Sequence, residues 1–167
     1  AKHALVVQTA ARIFADAPEG TLAAHLDSIV EALGMWLEDS RRRDAGCGAK
    51  TALVHAIVRA EVVRTRGVTS GRARELLRLA ARTIQWEKVY GGRVDVAGDL
   101  RIAAGAGLVT VGDPQALPVL ADHLADSLGP VRGRAAANLA AHGGTEAALL
   151  LRLRARIGDR DPVVLGE

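Results

Sequence analysis

The sequence predicts an all-α protein, and three observations favour this fold class. Apolar residues recur at helical spacing along nearly the whole chain, and no stretch alternates with the period of two that is typical of strands. Alanine supplies 32 of the 167 residues, which suits helices that pack closely on small side chains. In the C-terminal third, the pairs Asp113-Pro114 and Asp161-Pro162 each place a capping carboxylate before a proline suited to the first helical turn.

The apolar spacing predicts eight helices and the start of a ninth. The clearest is the second, in which Leu22, Leu26, Ile29, Leu33 and Trp36 follow at steps of four, three, four and three. The predicted helices cover about 3–16, 22–36, 53–63, 71–85, 95–111, 114–127, 130–142 and 146–157, with a ninth from Pro162. Residues 86–94, which include Gly91-Gly92, are predicted to form a longer connection.

Composition excludes several classes of protein. No apolar run approaches the roughly 20 residues that a membrane-spanning helix needs, so we expect no membrane association. The lone Cys47 cannot form an intrachain disulfide and has no second thiol for a structural zinc site. With no export signal in the sequence, the chain is predicted to be cytoplasmic and to form one domain over 1–167.

An internal repeat lies in the C-terminal third. At an offset of 33, segment 114–126 aligns with 147–159, pairing leucine with leucine twice, leucine with isoleucine, and Asp126 with Asp159. A proline that opens another helix follows each segment. Such helix pairs cannot bury their apolar faces alone, so this pattern predicts units stacked one upon the next.

The unit around 113–142 resembles a HEAT repeat. The resemblance lies in Pro118 of the first helix, Asp126 between the helices, and Val131-Arg132 at the start of the second helix. It implies a right-handed α-α superhelix, a solenoid of about four stacked helical hairpins that is cut short at its C-terminal end. It also implies a non-catalytic scaffold for a protein partner, and the basic segment 41–82 would suit an acidic one.

In HEAT repeats the aspartate and arginine form a ladder between neighbouring units, which the resemblance implies for Asp126 and Arg132. The early unit has Asp44 and Lys50 at the same six-residue separation. The middle unit departs most and offers Asp95, Asp99 and Arg101 as ladder members. In the last unit Asp159 fits, but Leu165 stands where arginine is expected.

An alternative function rests on the Arg-rich segment 41–82, which carries eleven basic residues against three acidic ones in a chain of net charge +3. Arg74, Arg78 and Arg82 recur every four residues and so share one helix stripe, flanked by Arg64 and Arg66. Such a row could track a phosphate backbone or an acidic peptide. Nucleic acid is the less favoured ligand because aromatic residues for base stacking are scarce.

The sequence predicts no enzyme, metal site or cofactor. No nucleophile, dinucleotide or phosphate-loop motif occurs, and no two histidines are four residues apart. Cys47 lies near Arg41–Arg43 and Lys50, which would favour a reactive thiolate, although a small residue between glycines more often serves packing. A second alternative, an enzyme similar to HEAT-like bilin lyases, is suggested only by the repeat itself. Trp36 and Trp86 are natural contact anchors if they are exposed, and Trp36 is expected in the core.

Overall fold

The computed structural model describes residues 2–38, 44–64 and 70–161 of the chain. In these residues the chain is mostly helical, as the all-α prediction requires, with one two-stranded sheet in addition. The helices are α1 (Lys2–Ala15), α2 (Glu19–Glu38), α3 (Gly48–Arg64), α4 (Gly71–Ala80), α5 (Gly98–Thr110), α6 (Ala116–Leu124), α7 (Gly129–His142) and α8 (Gly144–Ile157). A 3-10 turn, Ala45–Cys47, precedes α3, and the strands β1 (Trp86–Val89) and β2 (Gly92–Asp95) lie between α4 and α5. The predicted ninth helix and Leu165 fall outside the described residues.

The sequence prediction was wrong at the end of α4 and in the connection that follows it. The helix ends at Ala80 and not near Gln85, because Arg82 and Thr83 donate to carbonyls three residues back, as in a tight turn. Residues 86–95 then form an antiparallel hairpin. Its two-residue turn uses Gly91 at a φ of 89°, a conformation that glycine adopts without the cost that other residues incur.

Helices that are two apart in sequence pack beside one another. Helix α3 contacts α1, α2 and α5, while α5 contacts α3, α4, α6 and α7. Helix α7 in turn contacts α5, α6 and α8, and the pairs α2–α4 and α6–α8 also touch. Each of these central helices therefore has neighbours before and after it in the chain.

The apolar faces of the helices form the core in two clusters. On α2 the buried residues include Leu22, Leu26, Leu33 and Trp36, four of the five positions that the sequence pattern assigned to its apolar face. The larger cluster extends from α1 to the first half of α6, and the smaller one joins the end of α6 to α7 and α8. Among the described helices, none combines the length and hydropathy needed to cross a bilayer.

Glycines in α5 lie where neighbouring helices come closest. A Cβ atom at Gly107 would lie 2.5 Å from Cγ2 of Val58 on α3, and one at Gly105 would lie 3.0 Å from the ring of His123 on α6. At Gly98 the same atom would lie 2.9 Å from Leu128. These contacts explain why three glycines are retained in a helix despite their poor helix propensity.

We expect Gly107→Ala to destabilise the protein by about 1–2 kcal/mol in urea unfolding, because the added methyl group overlaps the stiff, β-branched Val58 side chain. In an open helix position the same change stabilises by up to about 1 kcal/mol. Gly20→Ala on α2 is the matched control, since no atom lies within 4 Å of a Cβ built there. Adding Val58→Ala to Gly107→Ala removes the overlapping side chain, so it should restore part of the lost unfolding free energy. This recovery appears as a favourable coupling energy in the double-mutant cycle. Equal effects of the two glycine substitutions would contradict this account.

Candidate functional site

The hairpin between α4 and α5 has two different faces. Residues directly opposite across an antiparallel pair share a face, and Trp86 pairs with Asp95, Lys88 with Arg93, and Glu87 with Val94. One face therefore carries Trp86, Lys88 and Arg93 together with Asp95. The other carries Glu87, Val89 and Val94. We call the surface formed by Trp86, Lys88 and Arg93 the basic hairpin face.

The hairpin exposes two aromatic side chains together with apolar ones. Trp86 is 47% exposed and Tyr90, at the turn, is fully exposed, whereas Trp36 on α2 is buried. Val89 and Val94 are also exposed. Two of the chain's four aromatic side chains thus lie uncovered on one ten-residue element. Tryptophan and tyrosine are the side chains most enriched at the centres of protein interfaces.

The base of the hairpin is fixed by a buried polar network. Glu87 Oε1 accepts a hydrogen bond from Gly46 N at 2.8 Å and another from Gln85 Nε2 at 2.7 Å. Gln85 Nε2 also donates to the Asp44 carbonyl at 2.9 Å, and Lys50 Nζ donates to Gln85 Oε1 at 3.0 Å. The 3-10 turn before α3 and the hairpin are therefore held together by a set of hydrogen bonds, of which those from Gln85 to Asp44 and from Lys50 to Gln85 are buried.

The Asp44 carboxylate caps the start of α3. It accepts hydrogen bonds from Ala49 N at 3.1 Å and Lys50 N at 2.9 Å, and Lys50 Nζ lies 3.5 Å from it. Both side chains are almost completely buried. A carboxylate is favoured at a helix N-terminus, where unpaired N–H groups concentrate positive charge.

Arg101 joins two aspartates from different parts of the chain. Its guanidinium lies 2.7 Å from Asp95 and makes a two-pronged contact to Asp126 at 2.8 and 3.0 Å. A fourth bond reaches the Thr83 carbonyl at 2.9 Å. Burial alone would lower the pKa of Arg101, but the hydrogen bonds to Asp126 and Asp95 raise it above its ordinary value. The side chain is buried yet fully partnered, as an interior charge requires.

Arg132 repeats this arrangement one unit further along. It binds Asp159 through two bonds of 2.7 and 2.6 Å and donates to the Asp126 carbonyl at 2.9 Å. Arg154 also contacts Asp159. We use the term buried charge row for these side chains together: Asp44, Lys50, Gln85, Asp95, Arg101, Asp126, Arg132 and Asp159.

Three of the aspartates in this row have the same local geometry. Asp95, Asp126 and Asp159 each accept a hydrogen bond from the backbone N–H two residues later, at 2.8 to 3.0 Å. This turn is a common local conformation of aspartate. In the sequence, the HEAT resemblance drew attention to Asp126 and Arg132, and the same six-residue separation drew attention to Asp44 and Lys50. The sequence analysis did not predict a role for Gln85. The only feature that could have drawn attention to it is its position as a polar residue at the end of an apolar helical pattern.

Of the predicted arginine stripe, Arg74 and Arg78 lie on α4, whereas Arg82 lies in the turn that follows the helix. Arg78 binds the buried Asp113 carboxylate through two bonds of 3.0 and 2.8 Å, and this contact raises the pKa of Arg78. Arg74 reaches the Val111 carbonyl at 3.5 Å, and Arg82 lies 3.9 Å from Asp122. Arg64 is the last residue of α3, and its side chain lies outside the described part of the chain. Arg66 and Arg41–Arg43 also lie outside the described residues.

A groove of about 430 Å³ lies between α2 and α4. Arg72, Arg78 and Arg82 line it together with Glu38 and Glu75. Arg72 pairs with Glu75 at 2.8 Å, and Arg78 is neutralised by Asp113. The positive charge available to a phosphate in this groove is therefore much smaller than the sequence suggests.

Cys47 is packed in the core and is not a reactive thiolate. Its side chain is fully buried, and this burial raises the pKa of the thiol to about 11, although Lys50 acts in the opposite direction. The packing role that the sequence favoured is thus the one its environment supports. Among the described residues, no cluster of three histidine, cysteine, aspartate or glutamate side chains could hold a metal ion.

Comparison with known proteins adds no relative to these observations. No family model matches the chain, and no curated protein or solved structure matches it either. Function is therefore inferred from the residues of the site.

The buried charge row makes the stability of the protein depend on pH. Burial would raise the pKa of Asp95, but hydrogen bonds from Ala97 N, Gln85 N and Arg101 lower it below its ordinary value of 3.8. The stability that this carboxylate contributes is thus fully present above pH 3.8 and is lost as the pH falls through the lowered pKa. We expect Asp95→Asn to cost about 2–4 kcal/mol at pH 7 and less as the pH approaches 2, in urea unfolding at several pH values.

Asp99→Asn is the matched control for Asp95→Asn, because Asp99 is exposed in the first turn of α5, the helix that follows Asp95. Its unfolding free energy should follow the wild-type pH profile. If the gap between Asp95→Asn and wild type were constant from pH 7 to pH 2, the carboxylate would not have the role assigned to it.

The stripe on α4 is expected to act mainly in stability. Arg78→Gln removes two charge-assisted hydrogen bonds and leaves the buried Asp113 without its cation, so we expect a loss of about 1–2 kcal/mol by thermal or urea unfolding. Arg82→Gln removes the same charge from an exposed, long contact and should change stability by less than about 0.5 kcal/mol. The reverse order of these two losses would contradict the assignment.

Proposed function

We propose that this chain is a non-catalytic, HEAT-like repeat scaffold that binds a protein partner through the hairpin between α4 and α5. The exposed aromatic pair, Trp86 and Tyr90, is the single observation that carries the proposal. When solvent-exposed tryptophan and tyrosine bind a partner, a large apolar surface is removed from water, which favours association. Few rotatable bonds are immobilised in the process, so the entropic cost is small.

The fixed base of the hairpin supports the same proposal. Glu87 and Gln85 bind the turn before α3, so the position of the hairpin relative to the helices is set before any partner arrives. Pre-organised contact elements bind more tightly because less ordering entropy is lost on association. A free loop of this length would not offer that advantage.

Contacts between neighbouring helices support the stacked arrangement that the proposal requires. The side-by-side packing of α3, α5 and α7 and the arginine contacts to the next aspartate agree with the HEAT resemblance seen in the sequence. Scaffolds of this class act by shape, presenting a fixed surface to a partner and needing no catalytic group.

Phosphate or nucleic-acid binding through segment 41–82 is the second candidate, favoured by the groove between α2 and α4 with its three arginines. The partner carboxylates of Arg72 and Arg78 lie in or beside that groove and weaken this candidate. Aromatic exposure, by contrast, is concentrated on the hairpin, so protein binding remains the function that we propose.

Affinity capture with quantitative mass spectrometry tests the proposal. The immobilised chain is incubated with a lysate of the organism that encodes it, in wild-type form and as the variant Trp86→Ser/Tyr90→Ser. We expect the wild type to recover a specific protein and the variant to recover at least about tenfold less, since such anchors each contribute roughly 2 kcal/mol or more. Circular dichroism should show the same helix content in both.

The control variant is Leu149→Ser/Leu153→Ser, which removes exposed apolar surface from α8 instead. It should recover the partner at the wild-type level. Loss of the partner in this control alone, or undiminished capture by the hairpin variant, would show that the contact lies elsewhere.

A further inference from the structure

We propose that the basic hairpin face binds an extended, acidic segment of the partner protein. This inference rests on the proposed function and names the chemistry of the partner. Both carboxylates of the hairpin are engaged within the chain: Glu87, on the other face, binds Gly46 N and Gln85, and Asp95 is buried against Arg101. The exposed charges of the basic hairpin face are therefore those of Lys88 and Arg93.

Lys88 and Arg93 lie directly opposite each other and are both exposed. Like charges in that position repel, which weakens a hairpin unless an anion lies between or above them. Val96 N donates to the Gln85 carbonyl, so by the antiparallel alternation Lys88 and Arg93 form a non-hydrogen-bonded pair. In such a pair the Cα atoms are only about 4.5 Å apart. The geometry thus concentrates two cations on a small area.

An extended peptide supplies the complementary spacing. Side chains two residues apart on a strand point the same way and lie about 6.6 Å apart, so two carboxylates at that separation can each reach one of the cations. Trp86, two residues before Lys88 on the same face, then offers a half-exposed ring to an apolar residue of the same segment. Both outer strand edges also offer backbone groups, because the described sheet has only these two strands.

Nucleic acid fits this surface less well. Affinity for a phosphate backbone grows with the number of phosphates neutralised, and the basic hairpin face supplies only two cations. The arginines of α4 do not extend it into a track, because Arg78 is bound to Asp113 and Arg74 reaches the Val111 carbonyl.

A fluorescence anisotropy titration tests the proposal with a labelled decapeptide of alternating glutamate and valine as the probe. We expect the wild type to bind it at low salt and to lose affinity as salt rises. Lys88→Gln/Arg93→Gln should weaken binding about tenfold or more. Arg134→Gln/Arg152→Gln loses the same charge from exposed positions on α7 and α8 and should stay within about twofold of wild type. The reversed variant, Lys88→Glu/Arg93→Glu, should instead bind a lysine–valine decapeptide.

Three results would overturn the proposal: no binding of the acidic peptide by the wild type, equal weakening in the two glutamine variants, or tighter binding of a 15-mer of deoxythymidine than of the peptide through Lys88 and Arg93. The proposed function fails separately. If the lysate partner depends on Trp86 and Tyr90 but is captured equally well by Lys88→Gln/Arg93→Gln, the hairpin is the contact and its partner is not acidic.

Discussion

Arg101 is buried between Asp95 and Asp126, and the arrangement of the middle of the chain depends on this contact. A guanidinium away from water is tolerated only when its donors are met, and here two carboxylates and the Thr83 carbonyl meet them. The three acceptors come from the turn after α4, the end of β2 and the turn before α7. One side chain at the start of α5 therefore ties together segments that apolar packing alone would leave free to slide.

The same polar network sets the place of the hairpin. Asp95 is both the last residue of β2 and a partner of Arg101, while Gln85 and Glu87 reach the turn before α3. The contacts that join α5 to Asp95 and Asp126 are thus continuous with those that hold the base of the hairpin. We therefore expect a change in the buried charge row to alter how Trp86 is presented, since Asp95 lies directly opposite Trp86 in the hairpin.

The sequence predicted the helices well where the apolar period was regular, as on α2, because burial of one face dictates that period. The HEAT resemblance drew attention to Asp126 and Arg132, and the same six-residue separation to Asp44 and Lys50, since a capping aspartate and a later cation are local features. The sequence analysis missed the hairpin because Trp86, Glu87, Lys88 and Val89 do not alternate between apolar and polar. Neither face of this sheet is buried in the core, so no pattern was imposed on it.

The arginine stripe on α4 shows a different limit. Spacing placed Arg74, Arg78 and Arg82 on one side of a helix, but only packing could reveal that Asp113 lies opposite Arg78. Sequence separation between the two is 35 residues, and no local signal connects them. The surface charge inferred from a helical stripe is therefore an upper bound, because folding can bring acidic side chains next to the stripe and neutralise part of its charge.

The burial of Cys47 has a practical consequence for following this protein in solution. It is the chain's one cysteine, and a fully covered thiol with a pKa near 11 reacts poorly with alkylating reagents at neutral pH. A cysteine introduced at the hairpin tip would thus be the one readily labelled thiol, without removal of the native residue. A dye or spin label attached there would report directly on what approaches the tip.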